Sequence, residues 1–461
     1  MKPTTRAPEP GQPSAAARRT PPVVYGITVA AAVGGFLFGY DTGVIAGALP
    51  HLTEDFGLTP FTSGVVVSAL LVGAMIGAFG AGPLADRFGR RRLIMAAAAV
   101  FGAGSVIAAL APNAATLTGA RVVLGLAVGA ASSLVPVFIA ETAPPHLRGR
   151  LVSVNQLLIT IGIVGAYAAG YAFSGSGNWR AMFALAVLPS LVLFGGMALL
   201  PETPRWLAGK GREEEALRVL ARLRPGADPA EELAALRETG EAPRRATLSA
   251  LRHRWLRPAL VAGVGLQILG QASGINTVIY YAPTIFERAG IGTAGATLAT
   301  VGVGLVNVLF TLVGMALVDR VGRKPLLAGG AAVMALSLAG LASVAGGHGG
   351  QAGYLAVACV AAYIAAAAAA LCVVIFIVPA ELYPTQVRGT AMSVSLAANW
   401  TMNFLVSLTF LSLLQALGVS ATFWLYAGIC ALLVLFTLRC IPETKGRSLE
   451  EIEQGLRAGR G

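Results

Sequence analysis

GPLADRFGRRR (82–92) is answered further along the chain by VDRVGRKPL (318–326). Each segment joins the end of an apolar run to a basic cluster through an Asp-Arg-x-Gly-Arg core. ETAPPHLRG, from Glu141, is answered by ELYPTQVRG, from Glu381, and PETPR, from Pro201, by PETKG, from Pro442. The three pairs run from 86 to 319, 141 to 381 and 201 to 442, offsets of 233, 240 and 241 residues. A nearly constant offset means that the chain is a tandem of two homologous halves. Parallel repeats of this kind are a known transporter layout, with the site between the halves near the bilayer midplane.

The chain between these motifs is apolar. Hydrophobic residues make up 56% of the 461 residues and charged residues 12%, against roughly 25% charged in ordinary globular domains. Mean hydropathy is +0.72. Twelve spans of about 20 residues need about 240 apolar positions, which this composition supplies. Disordered, coiled-coil and disulfide-scaffold chains are excluded. The apolar runs predict helices near 23–48, 61–85, 93–111, 116–140, 151–173, 181–200, 258–286, 295–318, 325–345, 352–380, 390–416 and 420–441. The fold class is therefore an all-α membrane protein, with twelve transmembrane helices in two pseudo-symmetric six-helix bundles. The expected organisation is a disordered N-terminal tail (1–22), a first bundle (23–201), a linker with short amphipathic helices (202–257), a second bundle (258–441) and a C-terminal tail (442–461).

The net charge of +12 is not read as nucleic-acid binding, because the basic residues lie in short clusters between spans. Arg87, Arg90, Arg91 and Arg92 follow the second span, Arg148 and Arg150 the fourth, Arg320, Arg323 and Lys324 the eighth, and Arg388 the tenth. The opposite loops carry only Arg180 and Arg288 as basic residues. By the positive-inside rule, both termini and the linker face the cytoplasm. Lys is nearly absent beside Arg, with much Ala and Gly, which points to a bacterial inner membrane. The cysteines Cys359, Cys372, Cys430 and Cys440 form no CxxC pair and read as packed thiols. No nucleotide-binding glycine loop and no metal-ligand cluster occur, and no cofactor is expected. His51, His146, His253 and His348 are scattered in loops or at span ends.

Two charges fall inside apolar runs. Asp41 lies in the first and Arg121 near the start of the fourth. An ionisable group at that depth is a functional candidate by default. A carboxyl in oil beside a guanidinium can exchange its proton for an ion pair, which suits proton coupling. A static buried pair is the alternative. Polar and aromatic residues in other spans suit a sugar, whose hydroxyls need donors and acceptors and whose C–H faces need aromatics. They are Gln156 in the fifth, Gln271, Asn276, Tyr280 and Tyr281 in the seventh, Asn307 in the eighth, and Trp400 and Asn403 in the eleventh. Buried amides also serve as helix-to-helix glue.

GYDTGVIAGA (39–48), GPLADRFGRRR, GARVVLG (119–125), PVFIAETAPPHLRGRLVSVNQ (136–156), PETPRWL (201–207), GQASGINTVIYYAP (270–283), VDRVGRKPL, PAELYPTQVRGTA (379–391) and PETKGRSLEEIE (442–453) together resemble the major facilitator superfamily, and within it the sugar porter family. The resemblance implies proton-coupled monosaccharide uptake by alternating access, without enzymatic chemistry. It implies proton coupling at Asp41 with Arg121. It also implies sugar contacts at Gln156, Gln271, Asn276, Asn307 and Trp400, with Phe38 at an aromatic position of the first span. A cytoplasmic gate is implied at Asp86, Arg87, Arg90, Arg91, Glu141, Arg148, Glu202, Asp319, Arg320, Arg323, Glu381, Arg388 and Glu443. Two departures stand out. Gly270 precedes Gln271 where the family has a second Gln. Cys372 and Val373 stand where the family has a Gly-Pro pair, which predicts a stiffer tenth helix, and Phe376 stands where it has a Trp, as a smaller stacking surface in the expected sugar site. The expected partners are a sugar, a proton and the lipid bilayer, and the chain is expected to act as a monomer. A uniporter or drug exporter of the same fold, and a membrane sugar sensor, are the rival readings.

Overall fold

The computed structural model describes residues 21–144, 146–225, 228–240, 251, 253–344, 350–384, 387–447, 451 and 453–454. The expected N-terminal tail up to residue 20, the GGHGG turn with His348, and the last residues of the C-terminal tail lie outside them. The described chain is helical. In the first half are α1 (Pro22–Phe56), α2 (Pro60–Phe88), α3 (Arg90–Ala109), α4 (Ala114–Thr142), α5 (Arg148–Ser174), α6 (Trp179–Ala184) and α7 (Val187–Leu199). Between the halves lie α8 (Pro204–Gly209), α9 (Glu213–Leu223) and α10 (Pro229–Gly240). The second half holds α11 (Arg257–Ala272), α12 (Ile275–Arg288), α13 (Thr293–Val321), α14 (Arg323–Val344), α15 (Gly350–Ala366), a π turn (Ala367–Leu371), α16 (Cys372–Leu382) and α17 (Arg388–Cys440).

Among the described residues, eleven helical stretches are long and apolar enough to cross a membrane. The last runs 53 residues, about 80 Å at 1.5 Å per residue. That is far more than the roughly 30 Å of a bilayer core. It bends at Gly418, whose φ is 78°, so α17 supplies two crossings and the total is twelve. The sixth span is α6 with α7, the seventh α11 with α12, and the tenth α15 with α16. Large apolar side chains cover the outside: Leu110, Leu199, Leu336 and Tyr354 are all more than 70% exposed. On a soluble protein such a surface would aggregate, and in a bilayer it is the solvated face.

The helices pack on small residues. In the first half α1 lies along α5 and α4, and α2 along α4. A Cβ built on Gly73 would stand 2.0 Å from the Val122 carbonyl oxygen, and one on Gly125 2.0 Å from that of Leu70. The α2–α4 crossing is therefore backbone against backbone. Among the described residues, the halves meet chiefly where α2 packs on α17, α5 on α13, and α1 on α12. α8–α10 build a small core of their own from Trp206, Leu207, Ala216, Leu220 and Leu233. It is tied to the first half by Trp206 Nε1 donating to Asp86 O (3.1 Å) and Arg224 donating to Ala143 O (3.3 Å).

Gly125→Val forces α2 and α4 apart and is expected to destabilise the fold by about 2–3 kcal/mol or more. The check is the thermal midpoint in detergent, which falls by several degrees. A midpoint equal to that of the native chain would show that the crossing is loose.

Candidate functional site

Asp41 and Arg121 meet in the interior of the first half. Arg121 Nη1 donates to Asp41 Oδ1 at 2.9 Å, and the two side chains are 0% and 2% exposed respectively. The pair is held by one bond only. Asp41 Oδ2 and Arg121 Nε and Nη2 are buried without a hydrogen-bond partner. A buried ion pair is worth little beside its desolvation cost unless its remaining valences are satisfied. This pair leaves three polar atoms open, so it adds little to the stability of the fold. Tyr280 of α12, 2% exposed, comes from the other half and stands within range of both charges.

The seventh span breaks where the polar residues sit. Gly274 has φ 86°, a left-handed conformation that separates α11 from α12. Across that break Asn276 Nδ2 donates to Gln271 Oε1 at 2.8 Å, and both residues are half-buried. Phe38 and Trp400 face each other from opposite halves with ring centroids 6.2 Å apart. Leu71, Ala74, Met75, Leu396 and Phe404 pack around them. The Trp400 indole Nε1 is buried with no partner, a donor ready for a ligand hydroxyl. Gln156 on α5 is half-buried and Asn307 on α13 is buried, on the two helices that pack across the halves. Asn403 stands against the Tyr280 hydroxyl and accepts from Ser407 Oγ at 3.2 Å.

Two expected site residues are placed otherwise. Tyr281 is fully buried, stacks on Phe410 at 5.1 Å and donates to Ser407 O at 3.1 Å. Its ring and hydroxyl are both engaged in the bundle core, so it is a packing residue. Phe376 is 46% exposed on α16, and no ring contact joins it to Phe38 or Trp400 among the described residues. The stiff tenth helix is also corrected. The π turn Ala367–Leu371 stands directly before Cys372, so the helix is irregular there without a Gly-Pro pair. At Gly270 a Cβ would stand 2.7 Å from Ile375 Cδ1; the space of the absent second Gln is taken by that isoleucine.

Sequence reasoning missed a buried amide relay. Gln267 Nε2 donates to Ile375 O at 2.9 Å, and Asn399 Nδ2 donates to Gln267 Oε1 at 2.5 Å. Pro379, four residues after Ile375, has no N–H, so the Ile375 carbonyl lacks its helical donor. A carbonyl can only accept, so Gln267 must donate to it, and Asn399 must donate to Gln267. The signals were periodic: Gln267 and Gln271 are one turn apart, as are Ser395, Asn399, Asn403 and Ser407. Such spacing puts a polar stripe on one helix face.

The charged end repeats one design in each half. Glu202 accepts from the backbone N–H of Arg90 and of Arg91, both at 3.1 Å, and Glu443 from those of Arg323 and Lys324, both at 3.1 Å. Each glutamate caps the start of a helix, where orphan N–H groups and the helix dipole favour an anion. Gly89 and Gly322 precede those helices with φ 102° and 103°. A Cβ there would stand 2.2 and 2.7 Å from the capping carboxylate oxygen, so the glycine of the Asp-Arg-x-Gly-Arg core is required twice over. Glu141 accepts from Thr203 Oγ1 at 2.5 Å and lies 3.4 Å from Arg90; Glu381 accepts from Thr444 Oγ1 at 2.5 Å and lies 3.0 Å from Arg323. Asp86 and Asp319 pair with the same arginines at 3.0 and 3.2 Å.

The remaining gate candidates bind backbone or rings. Arg91 donates to the carbonyls of Met197 and Ala198, Arg148 to Ala140 O and Arg388 to Tyr383 O. The guanidinium of Arg87 lies 5.1 Å over the Phe88 ring, and the Arg320 carbonyl accepts from Lys445 Nζ. Among the described residues, every ion pair of the two clusters stays within its own half. The halves touch instead toward the opposite end, where a Cβ on Gly64 would stand 2.3 Å from Leu408 O.

Comparison with known proteins agrees with this architecture. The family described as "Sugar (and other) transporter" matches residues 27–456. The galactose-proton symporter of Escherichia coli K12 is 42% identical over 434 residues, covering 93% of this chain and 94% of that protein. The D-xylose transporter of Levilactobacillus brevis is 40% identical over 438 residues, covering 93% and 95%. Among solved structures, the inward open conformation of the xylose transporter XylE from E. coli matches with a TM-score of 0.82 at 31% identity, covering 94% of this chain and 99% of that one.

Glu443 supplies a pH test of the charged end. Burial pushes its carboxyl up, but backbone donors from Lys445, Arg323, Lys324 and Thr444 outweigh that and hold it below the ordinary glutamate value of 4.5. A lowered carboxyl stabilises the fold above its unfolded value and loses that contribution as pH falls through its folded value. A fluorophore on the exposed Cys440 is expected to report release of the C-terminal segment with a midpoint below pH 4.5, and Glu443→Gln is expected to abolish that transition. A native midpoint above 4.5 would contradict the sign.

Proposed function

The chain belongs to the sugar porter family of the major facilitator superfamily, and from that premise we propose that it carries a monosaccharide into the cell together with a proton, by alternating access of a central site. It is a transporter and not an enzyme. The observation that carries proton coupling is the isolated Asp41–Arg121 pair, buried, singly bonded and within reach of the second half through Tyr280. Protonation at Asp41 Oδ2 neutralises the carboxylate and leaves Arg121 without its counter-charge. A lone buried cation is strongly unfavourable, so the loaded and unloaded protein favour different arrangements of the surrounding helices. Proton occupancy and conformation are linked in that way.

The sugar reading rests on the family and on the groups at the break of the seventh span. Gln271 and Asn276 offer amides, Trp400 offers an unpartnered indole N–H, and Phe38 with Trp400 offers apolar ring faces. Gln156 and Asn307 contribute from the helices that join the halves. The basic clusters orient the charged end toward the cytoplasm, so the seam at the other end is external and the molecule is open inward. In the outward-open state the two charged clusters close on each other and act as the cytoplasmic gate. Gly270 and Phe376 mark where the site departs from its family, and they bear on which sugar is accepted.

Asp41→Asn is expected to abolish uphill accumulation in vesicles with an imposed proton gradient, while sugar counterflow persists. Native vesicles are expected to alkalinise the outer medium on sugar addition. Full accumulation by the variant would leave facilitated uniport as the reading. Gln271→Ala or Asn276→Ala removes a hydrogen bond of about 1–1.5 kcal/mol and raises the transport KM roughly tenfold. The check is counterflow of labelled pentoses, hexoses and polyols; an unchanged KM for every transported member would remove these residues from the site.

A further inference from the structure

Pro283 deprives α12 of one hydrogen bond. Proline has no N–H, so the Ile279 carbonyl, four residues earlier, has no donor in its own helix. Buried backbone carbonyls are almost always paired, because an unpaired one costs as much as a lost hydrogen bond. Here the donor comes from the other half of the molecule: Tyr167 Oη on α5 donates to Ile279 O at 2.8 Å, in a buried setting. Tyr167 is 3% exposed. Its ring lies against Gly304 of α13, where a Cβ would stand 2.9 Å from Tyr167 Cδ2 and 3.1 Å from Val164 Cγ2. A glycine there lets α13 seat directly on the tyrosine. Another side-chain hydrogen bond between the halves, Thr401 Oγ1 to Met75 Sδ, is long at 3.8 Å.

We infer that Tyr167 is the outer-gate residue of this transporter, holding the halves together at the end away from the charged clusters by capping the carbonyl that Pro283 leaves open. Ile279 lies in the outer part of the seventh span, one residue before the buried Tyr280. When the outer side opens, water enters the seam and takes over as donor to the same carbonyl. The carbonyl is thus satisfied in both states, by tyrosine or by solvent, and breaking the latch costs only a net hydrogen bond. A latch of that strength biases the equilibrium without locking it. The inference rests on the alternating access proposed above, not on proton coupling or on the identity of the sugar.

The test is a double-mutant cycle with a conformational readout. Hydrogen–deuterium exchange of the full chain in liposomes is followed at the outer ends of α2, α5, α12 and α13. Tyr167→Phe keeps the ring and removes only the donor. It is expected to raise the ratio of outward-open to outward-closed molecules about fivefold, the equivalent of one net hydrogen bond, seen as faster exchange at those ends. Pro283→Ala returns an in-helix donor to Ile279 O, and in that background Tyr167→Phe is expected to shift the ratio by less than twofold. Unchanged exchange in Tyr167→Phe would overturn the inference. So would an equally large effect in the Pro283→Ala background, which would make Tyr167 a packing residue. Sugar counterflow by the native chain is measured alongside: its absence, with the expected exchange changes in both variants, would fault the transport reading and leave the latch standing.

Discussion

Hydrocarbon offers no partner to a polar group, so every donor and acceptor inside the membrane must be satisfied by the protein itself or put to use. That constraint orders this structure. Helices satisfy their own backbones, and at two of the prolines that interrupt them, Pro283 and Pro379, a side chain from a neighbouring helix takes over. Gln267 does so for Ile375 and Tyr167 for Ile279. The first capture stays within the second half and stiffens it; the second crosses between halves and holds them together.

Against that background the unsatisfied atoms carry meaning. Asp41 Oδ2, Arg121 Nε and Nη2, and Trp400 Nε1 are buried without partners, as are Asn155 Oδ1 and Thr277 Oγ1 within the spans. Asp41 and Arg121 lie on α1 and α4 of the first half and Trp400 on α17 of the second. The charged end shows the opposite economy. Each of Glu141, Glu202, Glu381 and Glu443 has two or more donors or cations about it. Among the described residues the ion pairs of each cluster stay within its own half, and the seam between the halves is drawn at the other end.

Gly89 and Gly322 show how closely the repeat is kept. The two halves share a φ near 102°, a carboxylate pressed against the missing Cβ, and a helix start capped by that carboxylate. A motif that looks like a topology signal is also a folding device, because it positions the Arg90 and Arg323 side chains that hold Glu141 and Glu381.

The twelve spans, the tandem halves and the candidacy of Asp41 and Arg121 were legible in the sequence, because hydropathy, repeat offset and a charge in an apolar run are local properties. So were Gln271 and Asn276, as amides where leucine would be expected. The pairing of Asp41 with Arg121 at a single bond, the loss of Tyr281 to the core, the π turn before Cys372 and the relay through Gln267 and Asn399 were decided by tertiary structure. Each depends on which face of a helix meets which neighbour, and in chains this rich in Ala and Gly the helix faces differ too little in hydropathy to say. Prolines 283 and 379 are visible in the sequence as helix interruptions; which side chain answers the carbonyl each one frees is set only when the helices are packed.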